Sequence, residues 1–178
     1  LVTDLNGCTS TGSIVLSASS SCITSGSGVL DIGISQPSSF ITANSLYSVG
    51  QTVAIHSNWI VNNNFTIDAS NVFIDPNVTI TVMPNCSFVV TNSSVLRACS
   101  DPWQGIVIYS ANSTLIINKD SQLRDALIGV DATNGSVLVI DGALFHENDV
   151  CMNIKNYSGN GGNVSVVSTL FSKATNLH

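Results

Sequence analysis

The chain has 178 residues, enough for one ordinary domain, and 44% of them are apolar, enough to bury a sizeable core. Only 9% are charged, five Lys and Arg against eleven Asp and Glu, so the net charge is −6 and the sequence pI is about 4.5. This balance disfavours nucleic acid and anionic membrane as partners, the dense Val, Ile and Leu content disfavours disorder, and no run of about 18 apolar residues offers to span a bilayer.

The chain begins at Leu1 with no secretory leader, which reads as a mature product or an excised piece. Residues 1–58 are strand-like but irregular. "GSIVLSAS", "GVLDIGIS" and "YSVGQTVAIHS" alternate only in places, and "SSSCITSGSG" is a turn-rich connector. From residue 59 onward the strands are short, β-branched and closely spaced: "FTID", "NVFID", "VTITV", "SFVV", "GIVIY", "TLIIN", "SVLVID" and "NVSVV", each bounded by Asn, Asp, Gly, Ser or Pro. Helical periodicity is nearly absent.

These segments repeat. Ile106 and Ile108 fall over Ile128 and Val130, Leu115 and Ile117 over Val137 and Val139, and Leu123 over Phe145, all at an offset of 22. The next return is longer. Ile128 and Val130 map to Met152 and Ile154, Val137 and Val139 to Val164 and Val166, and Phe145 to Phe171, with the extra residues in the glycine-rich "YSGNGGN". Phe88 and Val90 precede Leu115 and Ile117 by 27. Three short strands per period in the low twenties predict an all-β, right-handed parallel β-helix over residues 59–178, with residues 1–58 as a β-rich N-terminal cap or irregular first coils. Inward ladders are expected as Ile106/Ile128/Met152, Ile117/Val139/Val166 and Leu123/Phe145/Phe171. Leu115, Val137 and Val164 are expected in a common column. The rival is a β-sandwich, which gives no reason for three segments to return at one offset. At the start of "WQGIVI", Gly105 permits a bend and Trp103 covers the ladder beside it.

Five cysteines, none in a C-x-x-C pair, disfavour a zinc site. The expected pairs are Cys8–Cys22 and Cys86–Cys99, each closing a short loop, with Cys151 a buried thiol; the alternative is five reduced cysteines. Eight N-x-S/T sequons, at Asn64, Asn77, Asn85, Asn92, Asn112, Asn134, Asn156 and Asn163, are candidate glycan sites if the source attaches N-glycans.

The run from "VLRACSDPWQGIVIY" to "LFHEND" resembles the parallel β-helix regions of large secreted surface proteins of the Bacteroidetes. The matching residues are Cys99, Trp103, Gly105, Ile106, Leu115, Ile117, Asp125, Ala126, Phe145 and Asn148. The likeness covers roughly residues 60 to 178. "VTDLNGCT" near the start is similar to the closing strand of β-sandwich repeats in gliding adhesins. The resemblance implies an extracellular or cell-surface setting and export by type IX secretion, whose C-terminal sorting domain is not present in this chain.

Catalytic patterns are sparse. Asp125 and Glu147 lie one period apart, as a glycosidase pair would need, but at a coil corner where a solvated turn is the better reading. Arg97 and Arg124, 27 apart, would be neighbours, yet no acid cluster faces them as a Ca²⁺-dependent lyase would require; Arg124 with Asp125 reads as a surface pair. His56, His146 and His178 stand alone. The ladder of threonines that an ice-binding face needs is missing. The expectation is therefore a non-enzymatic structural or adhesive module without cofactor or metal. It would self-associate end to end or by strand donation through "LVTDL". The alternative is a carbohydrate-binding or polysaccharide-cleaving β-helix, with Trp103 and Tyr109 as candidate sugar contacts and polysaccharide as partner.

Overall fold

Thr114–Asn118 shows why the chain forms strands. In "TLIIN", Leu115 and Ile117 are fully buried while Thr114, Ile116 and Asn118 are only half-buried, the period of two that a pleated strand imposes. Repeated along the chain, this pattern winds into a parallel β-solenoid. The structure is a computed structural model and describes residues 50, 52–108, 110, 112–157 and 164–173, together with the backbone of the strands at 2–3, 9–10 and 29–32.

The first two strands, β1 (Val2–Thr3) and β2 (Thr9–Ser10), pair antiparallel. All other strands belong to three parallel sheets. A seven-stranded sheet stacks β3 (Val29–Ile32), β4 (Thr52–Ile55), β7 (Asn71–Ile74), β10 (Val95–Ala98), β13 (Gln122–Arg124), β16 (Leu144–His146) and β19 (Leu170–Ser172) in that order. The second sheet stacks β5 (Trp59–Val61), β8 (Thr79–Val82), β11 (Gly105–Ile108), β14 (Ile128–Thr133) and β17 (Val150–Lys155). The third stacks β6 (Phe65–Asp68), β9 (Ser87–Thr91), β12 (Thr114–Asn118), β15 (Val137–Asp141) and β18 (Val164–Val167). From β4 onward successive strands visit the three sheets in rotation, so each strand from β7 on rests on the strand one turn earlier. Stacked strands thus begin before residue 59: β4 lies parallel to β7, and β3 parallel to β4. Among the described residues no helix occurs.

The core is a set of columns. One runs Val53, Val72, Leu96, Leu123, Phe145, Phe171 in the seven-stranded sheet. Others run Trp59, Ile80, Ile106, Val130, Met152 and Phe65, Phe88, Leu115, Leu138, Val164. From Val53 to Phe145 the column residues are at most 3% exposed, so each contributes roughly 1.5–3 kcal/mol of burial. At the first turn Trp59 meets Phe65 and Phe88 edge-on at 4.7 and 5.4 Å, filling the space three sheets leave at their centre.

Two expected ladders shift. Leu115 lies under Leu138, not Val137, and Ile117 under Ile140, not Val139. Ile106 lies under Val130, not Ile128, and Val130, not Ile128, lies under Met152. The Leu123/Phe145/Phe171 column and the pairing of Phe88 and Val90 with Leu115 and Ile117 are as expected. The shifts arise because turns differ in length from sheet to sheet, while "VLVI" is apolar at both phases and does not mark its inward face.

Candidate functional site

The corner between the seven-stranded and second sheets gathers most of the residues singled out by sequence. Trp103 is fully buried, forms an isolated parallel bridge with Ala126 and donates its indole N–H to the Arg124 carbonyl at 2.8 Å. Its ring is sealed inside the corner, so Trp103 is not a sugar-stacking surface; Tyr109 lies outside the described residues. Trp59, equally buried, offers no such surface either. Gly105 has φ +114° and stands so close to the next turn that a Cβ would meet the Ile128 carbonyl oxygen at 1.6 Å. Asn148, 3% exposed, accepts from the Ala126 N–H and donates to the Leu123 carbonyl, both at 2.9 Å. One side-chain amide thus satisfies two backbone groups that the corner takes out of the sheet ladder.

Asp125 and Glu147 share this corner, both at positive φ, with the Asp125 amide bonded to the His146 carbonyl. The expected Arg124–Asp125 ion pair is not made. The histidines described are not isolated, and their partners come largely from adjacent turns. His56 Nδ1 lies 2.9 Å from Asp75 Oδ2, and His146 Nδ1 lies 2.7 Å from Ser172 Oγ with its Nε2 3.4 Å from Glu147. These contacts span 19 and 26 residues, a separation that reading for local motifs does not reveal. His178 lies outside the described residues. No group of three or more His, Cys, Asp and Glu arranged for a metal occurs among the described residues.

The Cys86–Cys99 pair is not formed, because Cys86 is a buried free thiol. The corner between the second and third sheets explains its place. Thr114 N–H bonds the Cys86 carbonyl and Val137 N–H bonds the Ser113 carbonyl one turn on, so Cys86, Ser113 and Ser136 fill one buried column of small side chains. Cys151 is also a free thiol, half-buried. Burial pushes both thiols above the ordinary value, and for Cys151 the Lys173 charge and a hydrogen bond from Asn148 act in the opposite direction. Cys8 and Cys22 lie outside the described residues.

The sequons follow from corner geometry. Asn77, Asn85, Asn92, Asn134 and Asn156 all adopt positive φ between 55° and 64°, the left-handed conformation that asparagine tolerates best after glycine. After Asn77, Asn85, Asn92 and Asn134, the Ser or Thr two residues later opens the next strand or fills its corner. Asn64 and Asn112 are likewise exposed at turns, while Asn163 lies outside the described residues.

A further column runs along the outside of the seven-stranded sheet, Phe73, Arg97, Arg124 and His146, and it sets Arg97 beside Arg124 as their offset of 27 suggests. The Arg97 guanidinium sits over the Phe73 ring at 4.2 Å. No known protein family, no curated protein and no solved structure matches this chain.

Proposed function

We propose that this chain is a structural or adhesive module of an extracellular surface protein that associates end to end through its last turn. The observation that carries the reading is the state of the inward columns along the stack. In the first turns Val61, Phe65 and Ile67 are at most 3% exposed, whereas in β17–β19 the equivalent Ile154, Val164, Val166 and Phe171 are 37–44% exposed. These four side chains, with the edges of three parallel sheets, form an apolar template onto which further strands stack. A second copy of the chain is the occupant proposed.

The extracellular setting is supported by the low charge and by the resemblance to Bacteroidetes surface proteins; the type IX route and the adhesive role rest on that resemblance. With Cys86 and Cys151 free, a disulfide is to be sought among Cys8, Cys22 and Cys99. Intact-mass measurement before and after reduction tests for it, a disulfide giving a gain of about 2 Da.

Sedimentation velocity over a range of concentrations, with negative-stain electron microscopy, tests the association. Pairing of two copies through their last turns, rising with concentration, is expected, and Ile154→Lys or Val164→Lys should return the chain to monomer. A wild-type protein that stays monomeric at tens of micromolar overturns the reading.

A further inference from the structure

We propose that Arg97 and Arg124, on the outward face of the seven-stranded sheet, form a binding site for a compact oxyanion, a carboxylate or sulfate group either free or carried on a sugar. The pairing of β10 with β13 sets Val95 level with Gln122 and Leu96 level with Leu123. Leu96 and Leu123 point into the core, so the residues that follow them, Arg97 and Arg124, face outward on strands about 4.8 Å apart. Two of the chain's five Lys and Arg thus lie side by side.

Nothing among the described residues answers their charge. Neither arginine has an ion-pair partner among the described residues. The Nε of each is buried without a hydrogen-bond acceptor. Buried donors are ordinarily satisfied and adjacent like charges repel, so a bound anion would relieve both. The Phe73 ring beneath Arg97 holds the guanidinium in place without consuming its donors. A guanidinium fork matches the two oxygens of a carboxylate or sulfate, and two forks side by side bracket one such group. His146, level with Arg124 on the next strand, is already engaged with Ser172 and Glu147 and bounds the column. A net charge of −6 opposes an extended polyanion and leaves a single charged group as the ligand class. The inference is independent of the end-to-end association.

The test is isothermal titration of the full chain with sodium sulfate, D-galacturonate and neutral D-galactose at constant ionic strength. Wild type and Lys155→Gln, a change on another sheet, should bind the two anions and not galactose. Arg97→Gln and Arg124→Gln should each weaken anion binding roughly 10- to 100-fold, the range for a lost charged hydrogen bond. Tighter binding of galacturonate than of sulfate assigns a sugar-borne group, and equal binding assigns a free oxyanion; both uphold the site. Should a variant fail to fold by circular dichroism, the arginine Nε–H resonances of the wild type decide, since they must shift on sulfate addition. No saturable binding to the wild type, affinity unchanged in both arginine variants, or unmoved Nε–H resonances overturns the proposal.

Discussion

Gly105 illustrates what the stack demands of a single residue. Its φ of +114° excludes other side chains, and the Ile128 carbonyl occupies the place a Cβ would take. Sequence marks the glycine but suggests only a bend, because the obstructing backbone belongs to the next turn. Gly105→Ala is expected to destabilise the fold by more than about 3 kcal/mol, measured by urea unfolding, and an unchanged midpoint would contradict the close approach of β11 and β14. Cys86 is the opposite case. Ser113 and Ser136 hold the same corner place, so Cys86→Ser is expected to change stability by no more than about 1 kcal/mol near neutral pH. Its pH dependence carries a sign. Burial raises the folded-state thiol above 9.0, so the folded chain keeps a proton that the unfolded chain releases. That contribution is full below 9.0 and is lost as pH rises through the raised value, so wild type should lose stability relative to Cys86→Ser in alkaline solution.

Single strands show where sequence specifies the fold and where it leaves a choice. In "FTID" or "TLIIN" the polar residues flank alternate apolar ones, so the inward face is legible. In "SVLVID" four consecutive apolar residues fit either phase, and the lengths of the neighbouring turns decide that Leu138 and Ile140 point inward. Leu138→Ala should therefore cost about 2–5 kcal/mol, whereas Val137→Ala, on the half-buried outward face, should cost under about 1 kcal/mol. Equal losses in chemical denaturation would restore the other register. The corner that holds Trp103 and Asn148 was visible as a motif, but its purpose was not. Both side chains bond to backbone groups more than 20 residues away, and only the stacking brings those groups within reach. The arginine column was half legible: the offset of 27 residues placed Arg97 beside Arg124, while the unmet donors appear only once burial is known.

The molecule as a whole is a one-dimensional stack, and its stability follows that geometry. Each turn touches only the turns before and after it, so the free energy of opening a strand depends on how many of its faces are covered. Strands in the middle, such as β12, have a partner on both sides and fully buried column residues. At the other extreme, β18 has a partner only in β15 among the described residues, and its Val164 and Val166 are 41% and 37% exposed. Hydrogen exchange should accordingly be graded along the axis rather than uniform, with β18 and β19 amides exchanging well before those of β9 and β12. The association proposed above makes a second demand on the same measurement. If another copy covers the last turn, protection of β17–β19 must rise with protein concentration while that of β9 and β12 stays fixed, because only the end acquires a new neighbour. A gradient independent of concentration would leave the solenoid intact and remove the stacked partner. Uniform protection from β9 to β19 would instead mean that the turns open together, contrary to a stack whose contacts pass only between neighbours.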